Sequence, residues 1–285
     1  MDKEDDGARG GRAADELERL EVDLLMQGVY RHYGVDFRDY AYASLRRRVW
    51  NAVQAEKLAT ISALQDRVLH DSAAMQRLLL QISVNVTSMF RDPAFYRCLR
   101  EDVVPLLRGY PFVRIWHAGC STGEEVYSLS ILLAEEDLYS RCRLYATDMD
   151  ESVLARAKEG IFRASDMAEY ADNYRAAGGR AQLGDYYTEG YERAIFKHSL
   201  RKNIVFSHHN LATDGSFNEF HLILCRNVMI YFNPRLQARV HGLIYESLRR
   251  FGILGLGQRE TLTGTSHASS YEPFDAALRL YRKVR

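Results

Sequence analysis

The chain has 285 residues, and its 38 Lys plus Arg balance 38 Asp plus Glu to a formal charge of zero. That balance argues against a protein held to nucleic acid by bulk charge, while 47% hydrophobic and 27% charged residues describe ordinary globular stock, long enough for one large or two smaller cores. No run approaches the ~18 uninterrupted apolar residues of a membrane helix, and the N-terminus is acidic where a secretory leader would be basic and then apolar, so a cytoplasmic protein without membrane insertion is expected.

Residues 1–14 mix charges with glycines and lack periodic apolar positions, the pattern of a flexible tail. From 15 to 84, apolar residues recur at helix spacing: Leu17, Leu20, Leu24 and Leu25, then Leu45, Val49 and Val53, then Ile61, Leu64 and Val68, then Met75, Leu78, Leu79 and Ile82. This predicts a small domain of about four helices. The segment 85–91 breaks the pattern, and Asp92-Pro93 reads as a cap with proline at the first helical position, opening a helix to about Arg108. From Phe112 onward, short β-branched or apolar runs alternate with helical stretches, the mark of βαβ units on a parallel sheet. Strands are expected at 113–117, 143–147, 203–207, 220–225 and 252–257. Helices are expected from Gly123, over 150–158 closed by Gly160, and over 234–250 behind an Asn233 cap. Between 162 and 202 the alternation fails, and an insertion with a small hairpin, turning at Glu189-Gly190, is expected. Cys98, Cys120, Cys142 and Cys225 form no CxxC or Cys/His cluster and read as core residues.

The most informative stretch is VRIWHAGCSTGEEVYS at 113–128, a strand that empties into Gly119-Cys120-Ser121-Thr122-Gly123 and then a helix. Glycines in such a turn let a ligand approach the backbone. The turn matches neither GxxxxGK[ST] nor GxGxxG. Glu124 and Glu125 fall in the first helical turn, where they would repel a pyrophosphate and attract an ammonium or sulfonium group. A nucleoside with a positive amino-acid end meets that demand, S-adenosylmethionine being the common one. Capping is the competing reading, because Ser121-x-x-Glu124 and Thr122-x-x-Glu125 both match a capping box; one Glu capping and one binding reconciles the two.

The second strand ends in Ala146-Thr147-Asp148-Met149-Asp150, with Asp148 placed to accept two ribose hydroxyls and Asp150 the better helix cap. The third ends in Ser207-His208-His209-Asn210-Leu211, where Asn210 could read an adenine edge. Adjacent histidines on a strand face opposite ways and no acid is spaced to join them, so no metal is assigned. The fourth ends in Cys225-Arg226-Asn227 at the carboxyl edge where open α/β sheets bind ligands, with loop capping as the alternative.

Together these blocks resemble the CheR family of chemotaxis receptor methyltransferases. The likeness spans about Leu24 to the C-terminus and is carried by NVTSMFRD at 85–92, GCSTGEEVYS at 119–128, Ala146-Thr147-Asp148, His209-Asn210-Leu211 and CRNVMIYF at 225–232, in that order and spacing. It implies an α/β fold, an S-adenosylmethionine-dependent, Rossmann-like sheet domain over 85–285 with a small antiparallel β insertion, preceded by an all-α domain. It implies cofactor contacts from Asn85, Thr87, Arg91 and Gly119, from Glu125 before Glu124, and from Asp148, Asn210, Leu211, Cys225 and Arg226. Arg91 and Tyr231 match residues beside the transferred methyl. The implied partner is the cytoplasmic helical bundle of a chemoreceptor, with S-adenosylhomocysteine as product, no nucleic acid, and a monomeric chain.

A glutamate with a pKa near 4.3 is already ionised at neutral pH, so methylating it needs positioning more than a strong base. Arg91 can hold the incoming carboxylate and the Tyr231 hydroxyl can fix its second oxygen. Arg46, Arg47 and Arg48 put three consecutive cations on a helix of the small domain, suited to an acidic receptor, with a solvated surface as the plainer reading. The resemblance matches the insertion to a subdomain that in some family members grips a receptor's C-terminal peptide through a Gly-x-Gly-Pro loop; this sequence lacks that loop, so peptide gripping is not expected. The rival readings are a non-catalytic receptor-binding adaptor and a dinucleotide-binding oxidoreductase.

Overall fold

The computed structural model describes residues 4–83 and 87–285. The chain divides into two compact units: residues 1–84 with 231–236, and residues 85–230 with 237–285.

In the first unit, among the described residues, four helices form: α1 (Glu4–Tyr33), α2 (Tyr42–Ala55), α3 (Ile61–His70) and α4 (Ser72–Ile82). Thr60 caps α3 by accepting Ala63 N–H at 3.1 Å, and Asp71 caps α4 by accepting Ala73 N–H at 2.9 Å. Helix α1 starts at Glu4, inside the stretch read as a tail. Once a helical nucleus exists, each added residue gains one hydrogen bond, so a stretch without apolar periodicity can still extend it. The buried face of α1 is Val22, Leu25, Met26 and Val29, whereas Leu17, Leu20 and Leu24 are exposed at 59, 54 and 49%. The apolar spacing identified a helix but not which side of it packs.

The segment 231–236 groups with these helices although the sequence reading placed it in the sheet domain. Tyr231 O accepts Ala41 N–H at 2.8 Å, Asp39 O accepts Asn233 N–H at 2.8 Å, and the Tyr40 and Phe232 rings meet edge to face with centroids 5.1 Å apart. These contacts join residues nearly 200 positions apart, which no local pattern reveals.

The second unit opens with α5 (Pro93–Cys98) and α6 (Val104–Leu107), joined by a wide π turn at Leu99–Val103. Pro105 has no N–H to give a preceding carbonyl, and the wide turn absorbs that loss. The rest runs β1 (Val113–Ala118), α7 (Glu124–Glu135), β2 (Cys142–Asp148), α8 (Glu151–Glu159), β3 (Ile161–Arg163), α9 (Met167–Ala176), β4 (Tyr187–Gly190), β5 (Arg193–Phe196), β6 (Ile204–His208), β7 (Phe220–Cys225), α10 (Pro234–Ser247), β8 (Leu248–Leu256), β9 (Tyr271–Asp275) and β10 (Leu280–Lys283). The main sheet has the order β6-β2-β1-β7-β8-β10-β9, parallel from β6 to β8 and antiparallel at β10 and β9. The five expected parallel strands are all present. No strand was assigned to the terminal pair; Pro273 fits within β9 because β9 lies at the sheet's edge, where a missing N–H is tolerated. Helix α10 ends three residues short of its expected end, and β8 takes over at Leu248 with a register shift opposite Phe220 and Leu222.

The insertion is a second sheet, β3-β5-β4, antiparallel throughout. Its hairpin turns at Tyr191-Glu192, both at positive φ, and Gly190 pairs with Arg193 inside the ladder, so the turn lies two residues later than Glu189-Gly190. All four cysteines are buried. At the far end of α7, buried Glu136 collects Arg100, Arg108 and Arg180 at 2.9, 2.9 and 2.7 Å in an ion cluster, Arg100 buried and the other two half exposed.

Two buried histidines make stability depend on pH. Burial, with Arg249 and Arg114 nearby, pushes His221 down to about 4, and burial beside His267 does the same to His241. Both rings stay neutral in the fold, while the unfolded chain takes up protons below about pH 6.5. The unfolded state therefore binds more protons between about pH 6.5 and 4, and stability falls as pH drops through that window. Thermal scans should show a lower Tm at pH 5 than at pH 7, and His221→Gln with His241→Gln should flatten the difference.

Candidate functional site

The sheet changes direction after β1: its neighbours are β2 on one side and β7 on the other. Open sheets bind ligands beyond the carboxyl ends at such a switch point, and the sequence motifs converge there. The turn after β1 is set by backbone geometry. Gly119 and Gly123 take φ of 79° and 98°, and Ser121 sits between them at 51°. Gly119 and Cys120 N–H groups both donate to Thr147 O at 2.9 Å, tying the turn to the end of β2. A Cβ on Gly119 would stand 2.6 Å from Val228 Cγ2, and one on Gly123 would stand 3.0 Å from Ala157 Cβ. Only glycine fits both positions.

Asp148, at the end of β2, accepts Ser121 N–H at 2.9 Å on one oxygen and Asp150 N–H at 3.1 Å on the other. A carboxylate has about four acceptor positions, so each oxygen keeps capacity for a ribose hydroxyl. Burial raises its pKa, opposed by the N–H of Ser121. Asp150 caps α8 through Ser152 N–H at 2.9 Å.

The capping-box reading of the two glutamates does not hold. Gly123 is the N-cap of α7 and has no side chain to cap with. Glu124 is buried and accepts the Thr122 hydroxyl at 2.7 Å; burial raises its pKa. Glu125 places Oε1 2.9 Å from His117 Nδ1 and Oε2 3.1 Å from Arg226. Burial works against its charge, but the His117 hydrogen bond and Arg226 outweigh burial and lower its pKa.

Arg226 joins the blocks. From the end of β7 its guanidinium reaches Glu125, donates to Asp92 at 2.6 Å, and lies 4.1 Å from the centroid of the Phe95 ring. Asp92 was expected to cap α5; held at φ 61° it makes no side-chain cap and turns to Arg226 instead. Phe90 is also left-handed, at φ 51°, and its N–H is received by the Ser128 hydroxyl at 2.9 Å. Arg91, partly exposed, is thus framed by two strained neighbours, the kind of backbone that collects at functional sites. Thr87 is partly exposed in the same segment, and Asn85 lies outside the described residues.

Of the positions matched to adenosine, Leu211 is buried and Cys225 fully so, at the end of β7 and paired in register with Leu256. The Asn210 side-chain oxygen is already used by Ala212 N–H at 2.9 Å, which leaves its amide group for an adenine edge. Tyr231 stands in the helical unit, with the Arg48 guanidinium 4.4 Å from its ring centroid. Arg48 was expected on the docking face. It is 4% exposed, and it donates to Ile82 O and covers Tyr231, so it is not a surface cation. The run Arg46-Arg47-Arg48 turns through 100° per residue, which sends Arg48 inward while Arg46 and Arg47 stay exposed. Arg46 pairs with Glu18, which also accepts Trp50 Nε1–H at 2.9 Å. The sequence reading missed His117, whose partner Glu125 lies across the glycine turn, and the role of Asp92, whose partner Arg226 is 134 residues away.

Charge decides what this crevice can hold. Glu125 and Asp92 share one guanidinium, and Asp148 adds a further carboxylate, leaving a net negative edge around a glycine turn that carries no phosphate-binding lysine. A ribose with a cationic amino-acid arm fits that donor set; a pyrophosphate does not. Fold and site together define an S-adenosylmethionine-dependent methyltransferase. Residues 85–277 match the model of the CheR methyltransferase S-adenosylmethionine-binding domain, and residues 20–83 match the CheR methyltransferase all-alpha domain. The protein belongs to the CheR methyltransferase family. It is 47% identical over 264 residues to Cher3 of Pseudomonas putida, covering 93% of this chain and 97% of that one. It is 31% identical over 249 residues to a chemotaxis protein methyltransferase of Listeria monocytogenes, covering 85% and 91%, and 29% identical over 252 residues to that of Salmonella typhimurium, covering 84% and 83%.

Gly119→Ala forces a Cβ against Val228 at a positive φ, and should cost about 1–3 kcal/mol of stability, read as a lower midpoint in urea denaturation with unchanged slope.

Proposed function

We propose that the protein methylates glutamate side chains in the cytoplasmic helical domain of chemoreceptors, giving glutamate methyl esters and serving adaptation in chemotaxis-like signalling. The observation that carries this reading is the acidic edge at the switch point, Glu125 and Asp92 paired with Arg226 and Asp148 tied to the glycine turn, in a chain that matches both CheR family models. The names of the Listeria and Salmonella relatives support the signalling context. No helix among the described residues is long and apolar enough to cross a membrane.

When bound, the cofactor would supply a methyl group activated on a sulfonium; its transfer to a carboxylate oxygen would break the S–CH3 bond and leave the neutral thioether S-adenosylhomocysteine. Asp148 would hold the ribose hydroxyls, and the acids around Arg226 would favour the cationic end. Glutamate is ionised at neutral pH, so the residues here need to orient a carboxylate and exclude water. Alignment of that kind supplies roughly 7–11 kcal/mol. Arg91 is assigned to the incoming carboxylate by its place in the 85–92 block, and Tyr231 to the second carboxylate oxygen by its place in the 225–232 block. Both contacts must orient more than neutralise, because a fully paired carboxylate is a poor nucleophile.

Arg91→Ala and Tyr231→Phe should each lower turnover by about 10–100-fold, the range for losing one or two charge-assisted contacts, with less than a threefold change in cofactor affinity. Calorimetric titration beside methylation rates separates the two; unchanged turnover in both variants removes the assignment. For docking, Arg46 and Arg47 are the exposed cations that remain. Arg46→Glu with Arg47→Glu should raise KM for a receptor cytoplasmic domain and leave kcat near wild type, and an unaltered KM would place docking elsewhere.

A further inference from the structure

One carboxylate holds the loop that follows β7. Glu260, buried three residues beyond Gly257, receives four backbone N–H groups. Asn227 and Gly257 donate to Oε2 at 2.9 and 2.6 Å, and Val228 and Met229 donate to Oε1 at 2.9 and 2.8 Å. Successive N–H groups converging on an anion form a nest, and here the chain fills the nest itself. Asn227 takes φ 61°, a left-handed conformation that asparagine tolerates. A Cβ at Gly257 would lie 2.7 Å from both Asn227 N and Glu260 Oε2, so the clasp closes only over glycine. All four partners are donors, and a protonated carboxyl would have to turn an O–H toward them, so the arrangement is built for the anion.

The clasped turn forms part of the cofactor site. Arg226 immediately precedes Asn227 and reaches Glu125 and Asp92. The Val228 side chain sits where a Cβ on Gly119 would be, against the glycine turn. We propose that Glu260 is a positioning residue for the cofactor: its carboxylate fixes the 227–229 turn so that Arg226 bridges Glu125 and Asp92 and Val228 closes on Gly119. The proposal rests on the site taking S-adenosylmethionine and is independent of which protein is methylated.

The test is calorimetric titration of S-adenosylhomocysteine into the wild-type chain, Glu260→Gln, Glu260→Ala and Glu136→Gln, with a thermal scan of each. Loss of groups that orient a ligand's direct contacts weakens binding by about 10–100-fold. Kd should rise about tenfold in Glu260→Gln, which keeps the packing but puts an NH2 against two donors, and about a hundredfold in Glu260→Ala, with one site per chain in both. Glu136→Gln, which strips a carboxylate from the ion cluster about 16 Å away along α7, should lower Tm and keep wild-type affinity. If Glu260 only supported folding, its variants would show fewer competent sites of unchanged Kd. That result, or wild-type affinity in Glu260→Gln, overturns the proposal; should Glu260→Ala fail to fold, Glu260→Gln decides. An absence of binding by the wild-type chain is distinguishable from both, and would overturn the cofactor assignment together with the proposal.

Discussion

The contact on which the site depends is Arg226 shared between Glu125 and Asp92. Three buried or half-buried charges from the start of α7, the end of β7 and the entry to α5 meet there. A buried guanidinium without partners would cost several kcal/mol, and so would two carboxylates left facing each other. The three are stable only together, which obliges the segments that carry them to converge. The remainder, one negative charge beyond what Arg226 cancels, favours a cationic ligand. The same arrangement thus organises the loops and selects the ligand's charge.

How legible this was in the sequence depends on the range of the cause. The five parallel strands, the Asp150 cap and the glycine turn rest on local chemistry, and each appears where its pattern put it. Asp148 stands at the end of β2, as its motif suggested. Much of what local reading misplaced has a partner outside the pattern that suggested it. Asp92 looked like a cap because proline follows it, but Arg226, 134 residues away, claims it. Glu124 and Glu125 matched capping boxes, yet the helix begins on a glycine and both side chains turn elsewhere. Arg48 looked like surface charge because runs of arginine are mostly solvated, while Tyr231 and Ile82 O hold it inside. The β9–β10 pair was not placed from the sequence; Pro273 is compatible with β9 because that strand lies at the sheet's edge.

The segment from 225 to 236 shows how much one stretch of backbone can be asked to do. It ends the strand at the centre of the sheet, supplies the guanidinium, turns through a left-handed asparagine and delivers Tyr231 to the helical unit. Few of its residues are free to vary independently. A change that shifts the 227–229 turn moves Arg226, and with it the hold on Glu125 and Asp92.

The excursion of residues 231–236 into the helical unit also bears on how this architecture can be inherited. A module that receives a strip from far downstream has no single cut site: severing the chain near residue 84 removes the strip that bridges to Tyr40 and Ala41. Gene fusion or recombination at that boundary would strand Phe232 and its neighbours in a foreign host. An exchange that keeps these contacts has to carry residues 39–41 and 231–233 together.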